Sequence, residues 1–313
     1  MKTAVVLGAA GQDGRIMCDL LRRNGYKVFA GARRRAGEWP EETRETERRY
    51  VDVTDGVSVA ALLKEAKPHE VYNFAAQSFV PASWPQAAST VRTDAEGVAN
   101  VLEAVRLVAP KARVYQASSS EMFGDEPAPQ GLSSDFNPLT PYAVSKVAGH
   151  YLVKAYRRKY GIYAVSGICF NHESKFRGPE FVTQLVARGV NAIKRGKQKS
   201  LVMGSLEPKR DWGWAPDYVY GMWRSLRYPT AQDWVFGTGQ SHSVQTLVTL
   251  ALSAVNLDFR GRVTVDPSRQ RGAWEVPSLC ADPVDVRFSQ RMLGWKNTKT
   301  FPQLVQHLVK EAA

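Results

Sequence analysis

Short apolar runs alternate with longer amphipathic stretches through the first half of the chain. The runs are rich in valine, alanine and aromatic residues, as buried strands are, and apolar positions between them recur at helical spacing. The predicted strands cover residues 3–7, 27–30, 49–51, 71–74, 114–117 and 164–168. The predicted helices cover residues 12–24, 57–66, 88–108 and 141–160. This alternation predicts an α/β fold built on a Rossmann-like, doubly wound parallel sheet.

The alternation ends near residue 171, where the loops lengthen and the elements become shorter. Prolines, which interrupt helices and central strands, recur in this half at positions 179, 208, 216, 229, 267, 277 and 283. We therefore predict a Rossmann domain over residues 1–170. Residues 171–313 are predicted to form a smaller α/β C-terminal substrate lobe that shares some elements with the first domain.

The composition is that of an ordinary globular protein, because 44% of the 313 residues are hydrophobic and 23% are charged. No apolar run reaches the roughly 20 residues that a membrane span requires, so no membrane association is expected. Cys18, Cys169 and Cys280 are far apart and lack the spacing of a metal site or a disulfide framework. These features predict a protein of the reducing cytoplasm without a bound metal.

The formal net charge of +12 raises the question of a nucleic-acid partner. Apart from Arg33 to Arg35, the basic residues are scattered or interleaved with acids, and no nucleic-acid-binding motif accompanies them. A small anionic substrate such as a nucleotide diphosphate explains a basic surface equally well. We therefore expect a small-molecule substrate and no nucleic acid.

A glycine loop follows the first predicted strand and opens the first predicted helix. Gly8, Gly11 and Gly14, with Gln12 and Asp13 between the last two, place backbone N–H groups and the helix dipole at one point, which suits a pyrophosphate. Three spaced glycines also occur in tight structural turns, so the motif alone is weak. Its position between a strand and a helix favours dinucleotide binding.

The cofactor is predicted to be NADP because of the residues after the second strand. NAD-binding proteins usually place an acid there to hold the ribose 2′-hydroxyl, whereas this chain has Arg33, Arg34 and Arg35. Arginines suit a 2′-phosphate, and Arg34 is the favoured ligand. The alternative is a solvated basic loop.

Further cofactor contacts are predicted after the third and fourth strands. Asp52 is placed to meet the adenine, with Val53 beside it, and small residues follow the fourth strand where a cofactor backbone would pass. The residues predicted there are Ala75, Ala76 and Gln77, followed by Ser78 on the substrate side.

A tyrosine and a lysine lie four residues apart on one face of a predicted helix. Tyr142 and Lys146 can perform acid–base chemistry, because a lysine cation near the ring is expected to lower the pKa of the phenol toward working pH. The same spacing occurs in many unrelated helices. Here it follows the serine-rich end of the fifth strand, where ligands of such sheets bind.

Glu121 indicates the class of reaction. A dehydrogenase or a sugar 4-epimerase needs only the serine, tyrosine and lysine, whereas a 4,6-dehydratase also needs a carboxylate. After oxidation at C4 the C5 hydrogen becomes acidic, and its removal lets the C6 hydroxyl leave as water. A capping or solvent-facing glutamate is the alternative interpretation.

With these residues assembled, the chain resembles the GDP-mannose 4,6-dehydratase family from residue 4 to about 310. The segments that carry the resemblance are 11–14, 72–78, 115–124, 171–174, 177–178, 181–183, 209–213, 217–219, 222–223 and 242–244. The resemblance implies a lyase that returns the C4 hydride to C6 through NADP, giving a 4-keto-6-deoxy sugar nucleotide. It also implies a homo-oligomer, a dimer or a tetramer.

The resemblance also assigns roles to individual residues. Ser119 would polarise O4, Tyr142 would be the base at O4 with Lys146 in support, and Glu121 would be the C5 base. His172 and Arg177 would help to hold NADP. The residues expected to contact the nucleotide sugar are Ser78, Asn171, Val182, Arg210 and Glu275.

Some positions depart from the pattern of the family on the expected substrate side. Phe79 and Trp214 each stand where a histidine is common. GDP-heptose or another nucleotide hexose is therefore an alternative substrate for the same chemistry. A nucleotide-sugar epimerase or reductase, and a non-catalytic dinucleotide-binding protein, are further alternatives.

Overall fold

The computed structural model describes residues 1–33 and 38–313. The strands in chain order are β1 (Thr3–Leu7), β2 (Lys27–Ala32), β3 (Glu47–Tyr50), β4 (Glu70–Asn73), β5 (Arg113–Ser119), β6 (Ala164–Cys169), β7 (Asn171–Glu173), β8 (Leu201–Met203), β9 (Lys209–Trp214), β10 (Trp234–Phe236), β11 (Ser241–Ser243), β12 (Val263–Val265) and β13 (Ser278–Leu279). The α-helices are α1 (Gln12–Arg23), α2 (Gly56–Ala66), α3 (Ala87–Val91), α4 (Gly97–Val108), α5 (Pro141–Tyr160), α6 (Val182–Lys194), α7 (Ala215–Ser225), α8 (Val244–Ser253), α9 (Pro283–Leu293) and α10 (Phe301–Glu311).

The predicted parallel sheet is confirmed. Within the described residues it has seven strands in the order β10-β6-β5-β4-β1-β2-β3, and every neighbouring pair is parallel. The chain winds outward from β1 through β2 and β3, and then returns to β4 on the other side. A crevice therefore opens at the carboxyl ends of β1 and β4, where ligands of doubly wound sheets bind.

Both faces of this sheet are buried, because the side chains of a strand alternate between them. In β1, Val6 packs with Met17 of α1 and Met222 of α7, while Val5 packs with Leu63 of α2 on the opposite face. Each fully buried side chain of this size contributes roughly 1.5–3 kcal/mol. The strands are therefore fixed firmly, and the loops at their ends can carry the site.

The predicted helices agree with the structure to within about two residues, with one exception. The predicted helix 88–108 contains a π-helical turn, Arg92–Glu96, between α3 and α4. Such turns widen a helix locally and occur often at functional sites.

The second half builds its own small core and also extends the large sheet. The short sheet β11-β9-β13, with β7 paired to β9, packs against α6, α8 and α10. Trp212 of β9 is buried there and stacks on Phe301 at 5.4 Å. β10 instead pairs with β6 at the edge of the large sheet. Among the helices of the described residues, none is long and apolar enough to span a membrane.

Candidate active site

A cavity of about 930 Å³ lies at the carboxyl ends of the parallel strands and reaches into the second half of the chain. Of the predicted site residues, it is lined by Gly8, Gly11, Gln12, Asp13, Gly14, Asp52, Val53, Ala75, Ala76, Ser78, Ser119, Glu121, Tyr142, Lys146, Asn171, His172, Arg177, Val182, Arg210 and Glu275. Gln77 does not line it, and Arg34 lies outside the described residues. The structure thus brings residues from both predicted domains to one cavity.

The glycine loop leaves no room for side chains at two positions. Gly8 has φ +76°, and a Cβ atom there would lie 2.6 Å from the backbone nitrogen of Ala75. A Cβ atom on Gly14 would lie 2.6 Å from the Cα atom of Ala9. The loop therefore packs closely against the residues that directly follow β4. The N-terminus of α1 lies at the cavity, where its N–H groups suit a pyrophosphate.

His172 joins this loop to the second half of the chain. Its Nε2 atom lies 2.9 Å from Oδ2 of Asp13, and its Nδ1 atom lies 2.8 Å from the carbonyl oxygen of Phe170. Since a carbonyl only accepts, Nδ1 carries a hydrogen, and the adjacent carboxylate favours a second hydrogen on Nε2. Burial alone would lower the pKa of His172, but Asp13 outweighs it and raises that pKa. Asp13 therefore favours the protonated form of His172 at this end of the cavity.

Gln12 reinforces the same junction. Its side-chain nitrogen donates to the carbonyl oxygen of His172 at 3.0 Å, and its side-chain oxygen accepts from the Ser174 hydroxyl at 2.9 Å. The guanidinium of Arg177 lies 3.7 Å from the ring centre of Phe181, and both residues line the cavity. His172 and Arg177 thus line the cavity from the same segment of the chain.

Arg33 lines the cavity at the end of β2. Its Nη1 atom lies 3.8 Å from Oδ2 of Asp52, whose other oxygen accepts from the backbone and the hydroxyl of Thr54 at 3.0 and 2.8 Å. Arg33 belongs to the predicted basic cluster but was not its favoured member. Arg33 directly follows Ala32, the last residue of β2, and this position in the sequence could have favoured it as the cofactor ligand.

Ser119, Tyr142 and Lys146 converge where β5 ends beside α5. Thr140 caps α5 by accepting from the backbone of Ala143 at 3.1 Å, which fixes the first turn that carries Tyr142. The Lys146 ammonium lies 5.5 Å from the centre of the Tyr142 ring and donates to the carbonyl oxygen of Ala117 at 3.3 Å. The pair therefore faces the end of β5.

The predicted lowering of the tyrosine pKa is wrong for the structure as it stands. Burial raises the pKa of Tyr142, and the Lys146 cation and the Ser119 hydroxyl offset only part of that effect. The sequence could not indicate this, because the burial of Tyr142 depends on the packing of separate elements.

Glu121 follows β5 in a short 3₁₀ turn, where its backbone N–H donates to the Ser119 hydroxyl at 3.2 Å. Its Oε1 atom lies 4.0 Å from Nε of Arg210. Arg210 in turn donates from Nη2 to Oε1 of Glu275 at 2.9 Å. The carboxylate is thus partly buried and faces a cation, which excludes the solvent-facing alternative.

Asp94 is a buried acid that sequence reasoning missed. It lies in the π-helical turn, and its Oδ1 atom accepts from the backbone N–H of Gln77 at 2.7 Å. Its Oδ2 atom has no hydrogen-bond partner among the described residues. Burial raises the pKa of Asp94 to about 6, although the charge of Lys146 opposes the rise. A single aspartate on an amphipathic helix gives no sign in the sequence that its carboxyl is buried and has a raised pKa.

Two aromatic pairs lie at the cavity, which is lined by three of their four rings, Phe79, Phe181 and Trp274. Phe79 meets Phe181 edge to face at 5.5 Å, and Trp84 lies 6.2 Å from Trp274. Both pairs join the segment after β4 to the second half. Phe79 departs from the pattern of the family, whereas Trp274 ends a short 3₁₀ helix that carries no recognisable motif.

A glycine loop, a serine, a tyrosine and a lysine at the ends of a doubly wound sheet define an enzyme of the short-chain dehydrogenase type. Glu121 adds the carboxylate that a dehydratase needs. The sequence profile of the GDP-mannose 4,6 dehydratase family matches residues 5–308. The chain belongs to this family.

Individual relatives and solved structures agree. GDP-mannose 4,6 dehydratase 1 of Arabidopsis thaliana is 38% identical over 327 residues, which cover 99% of this chain and 89% of the relative. The GDP-mannose 4,6-dehydratase of Sinorhizobium fredii is 35% identical, with 99% and 96% covered. The UDP-glucose 4-epimerase of Thermotoga maritima, solved with UDP-glucose, superposes with a TM-score of 0.87 at 19% identity, covering 99% of this chain and 98% of that one.

The dTDP-glucose 4,6-dehydratase of Bacillus anthracis, solved with NAD, superposes with a TM-score of 0.85 at 18% identity, covering 99% of this chain and 96% of that one. At such identities the likeness establishes the fold alone. The predicted family, the fold class and the dehydratase class of lyase are confirmed together.

Proposed function

We propose that the protein is an NADP-dependent dehydratase that converts GDP-mannose to GDP-4-keto-6-deoxymannose. The observation that carries the proposal is the meeting of Glu121 with Ser119, Tyr142 and Lys146 at one cavity. Three of these groups suit oxidation at C4, and the carboxylate suits the loss of water that follows.

The chain's own residues would supply the proton transfers. Tyr142 removes the O4 proton, Lys146 stabilises the phenolate, and Ser119 hydrogen-bonds to O4. A bound nicotinamide dinucleotide supplies the hydride acceptor at C4 and the hydride donor at C6. Glu121 removes the C5 proton and would pass it to the C6 hydroxyl, which leaves as water while the C5–H electron pair forms the C5–C6 double bond. When C6 then receives the hydride, C5 regains a proton, which balances the proton that Tyr142 took from O4.

The cofactor proposal rests on the residues around the glycine loop. Gly8, Gly11, Gln12, Asp13 and Gly14 would hold the pyrophosphate at the start of α1. The remaining cofactor contacts in this proposal are Asp52, Val53, Ala75, Ala76, Gln77, Tyr142, Lys146, His172 and Arg177. Gln77 would act through the backbone of its segment, since it does not line the cavity. Arg33 lines the cavity and supports a 2′-phosphate, hence NADP rather than NAD; Arg34 stays a sequence prediction.

The substrate would lie toward residues 171–313, which we propose as the nucleotide-sugar lobe beside a Rossmann domain of residues 1–170. Ser78, Asn171, Val182, Arg210 and Glu275 all line the cavity, and all but Ser78 belong to residues 171–313. A guanidinium recognises a diphosphate well, so Arg210 is the favoured phosphate contact.

A second substrate is supported by the rim of the cavity. Phe79 and Phe181 present apolar rings where a histidine side chain could have bonded a sugar hydroxyl. A larger or less polar sugar, such as that of GDP-heptose or another nucleotide hexose, therefore remains a candidate for the same chemistry.

We also propose a cytoplasmic homo-oligomer. Val91 of α3 and Val144 and Tyr151 of α5 are exposed apolar side chains, and Cys18 and Cys169 are buried free thiols. An exposed apolar face suits a subunit contact, and unpaired thiols suit a reducing compartment. Light scattering of the purified protein tests the oligomer, and a mass of one subunit at micromolar concentration would contradict it.

The test of the function is incubation of the purified protein with GDP-mannose and catalytic NADP, followed by mass spectrometry. A product lighter by one water, absent with Glu121→Gln, supports the proposal. If only another nucleotide sugar loses water, the mechanism stands and mannose is discarded. An isomer without loss of water indicates an epimerase, and dinucleotide binding without any conversion indicates a non-catalytic binding protein.

A further inference from the structure

Two tryptophans from different halves of the chain meet beside the cavity. The ring centres of Trp84 and Trp274 lie 6.2 Å apart, with their planes inclined at 59°. This separation falls within the roughly 4.5–7 Å at which aromatic rings attract each other. Trp274 lines the cavity, whereas Trp84 does not. Neither ring belongs to a hydrophobic core cluster of the described residues, so packing of the core does not account for the pair.

Trp84 is fixed by the turn that precedes it. It follows a 3₁₀ turn, Val80–Ser83, in which the Ser83 hydroxyl donates to the carbonyl oxygen of Val80 at 2.7 Å. Ser83 is fully buried, and the turn lies against α5. The Trp84 ring is nevertheless 49% exposed. Its position is therefore set by its own half of the chain, and its ring is available to support another segment.

Trp274 belongs to the segment of residues 268–275, which we call the wall segment. Six of its eight residues line the cavity, and none of the eight is buried. A segment of this kind has few buried apolar contacts to hold it in one conformation. The shape of the cavity along the wall segment therefore depends on the individual contacts that the segment makes with its neighbours.

Hydrogen bonds hold the two ends of the wall segment. Near its start, Nη1 of Arg269 donates to the carbonyl oxygen of Val202 at 3.2 Å. At its end, Oε1 of Glu275 accepts from Nη2 of Arg210 at 2.9 Å. Val202 lies in β8 and Arg210 in β9, and both strands are paired with neighbouring strands of the second half. The two ends are therefore tied to the second half of the chain.

The middle of the wall segment has a single tie. Among the hydrogen bonds, ion pairs and ring contacts within the described residues, only the Trp84–Trp274 pair joins residues 270–274 to a distant part of the chain. We propose that Trp84 is a positioning residue that holds the wall segment in place through Trp274 and so strengthens the binding of the nucleotide sugar. The inference rests on the proposed function for the identity of that ligand.

The physical reason is the entropy of the wall segment. Trp84 can act on a bound ligand only through Trp274, because its own side chain does not line the cavity. Loss of the Trp84 ring leaves the ends of the segment attached and lets its middle take other conformations. Binding of the ligand must then order the middle, which weakens the affinity. The groups that carry out the reaction are unchanged, so the rate of the bound complex should be unchanged as well.

The first experiment measures KM and kcat for loss of water from GDP-mannose. Trp84→Leu should raise KM roughly two- to tenfold and change kcat less than about twofold, since an aromatic pair contributes an amount of this order to binding. Trp84→Phe keeps a ring and should lie closer to the wild type. In a Trp274→Leu background, Trp84→Leu should have no further effect, because the partner ring is already absent. Tyr160→Leu removes an equally exposed ring outside the cavity and should change neither constant.

The second experiment does not depend on turnover. Trypsin cleaves after arginine, and Arg269 and Arg271 both lie in the wall segment. Without any ligand, Trp84→Leu and Trp274→Leu should each speed cleavage at these sites roughly two- to tenfold. Cleavage after Arg44, which is exposed and lies outside the cavity, should keep its wild-type rate and show that the fold is intact. If the wild type dehydrates no nucleotide sugar, the proposed function fails, while cleavage still decides whether Trp84 holds the segment.

The inference requires both changes. A wild-type KM in Trp84→Leu would overturn it even with faster cleavage, because the order of the wall segment would then not matter to the ligand. A wild-type cleavage rate in Trp84→Leu would overturn it too, since Trp84 would not hold the segment. A further rise of KM when Trp84→Leu is added to Trp274→Leu would show that Trp84 acts by a route other than its partner ring.

Discussion

The Oδ2 atom of Asp13 lies 2.9 Å from Nε2 of His172, and this contact joins the glycine loop to the first residues of the second half of the chain. The two side chains belong to different predicted domains, 159 positions apart. Each side chain favours the charged form of the other. Burial alone would raise the pKa of Asp13, but His172 lowers that pKa. The glycine loop and the second half of the chain are therefore linked by an ion pair.

Replacement of Asp13 with asparagine should remove this link. Asp13 has a lowered pKa, so its stabilisation is present above its unfolded pKa, near 4, and is lost as the pH falls through the folded value. His172 has a raised pKa, so its stabilisation is present below about pH 6.5 and is lost as the pH rises through the folded value. Both contributions are present together between roughly pH 4 and 6.5.

We expect Asp13→Asn to lower the free energy of unfolding by about 3 kcal/mol in that window, as the loss of one partner of a buried pair does. Denaturant titrations at pH 6 and pH 9 measure it. Glu42→Gln, which breaks the more exposed pair with Arg15, is the control and should cost less than about 1 kcal/mol. An Asp13→Asn loss that is larger at pH 9 than at pH 6 would contradict the assignment.

Asp94 should affect the pH dependence of stability in the opposite direction to Asp13. Its folded pKa of about 6 lies above the ordinary value of 3.8, so ionisation destabilises the fold as the pH rises between these values. The full difference corresponds to about 3 kcal/mol. Asp94→Asn imitates the protonated acid, so it should stabilise the protein at pH 8 and have little effect at pH 4, as measured by thermal or denaturant unfolding.

Asp211 is the matched control for this prediction. Burial raises its pKa to about 6 as well, but its two oxygens accept from Thr238, Gly239 and Ala281. An asparagine amide cannot accept at both positions, so Asp211→Asn should destabilise the protein at either pH. Equal effects of the two substitutions would mean that the unpaired Oδ2 atom of Asp94 does not matter.

Local signals explain what could be predicted from the sequence. The ends of α5 are as predicted because Thr140 caps it, Pro141 occupies its first turn, and Gly161 ends it in the left-handed conformation. The β3 strand begins two residues earlier than predicted, at Glu47, because pairing with β2 rather than residue type sets its start.

The parts that could not be predicted depend on contacts between distant elements. The surroundings of the Asp94 carboxyl include the backbone of Gln77, which follows β4, and Lys146, which lies on α5. No local pattern joins these three positions. The raised pKa of Tyr142 similarly follows from burial, which spacing along a helix cannot report. Motif residues were predictable as a set, whereas their electrostatics required the assembled fold.

The close packing of Gly14 predicts a loss of dinucleotide binding on substitution. A Cβ atom in Gly14→Ala would overlap the backbone of Gly8 and Ala9 and push the loop out of place. We expect the affinity for NADPH, measured by fluorescence titration, to fall by at least about tenfold, or 1.4 kcal/mol. Gly25→Ala is the control, since nothing lies within 4 Å of its Cβ position. Its φ of +74° costs stability but should leave the affinity unchanged.

We expect the choice between NADP and NAD to depend on Arg33, the cation beside Asp52. Arg33 lines the cavity at the end of β2, so a 2′-phosphate at the adenine ribose would meet its guanidinium, whereas a 2′-hydroxyl would meet the same group without a charge to pair. A charge-assisted contact contributes about 1.5–3 kcal/mol, so Arg33→Gln should weaken NADPH binding by roughly 10- to 150-fold. The affinity for NADH should change less than about threefold. Arg44→Gln, an exposed arginine paired with Glu41 outside the cavity, should change neither affinity. Equal losses for NADPH and NADH in Arg33→Gln would mean that Arg33 supports the loop rather than the phosphate, and that the selectivity has another source.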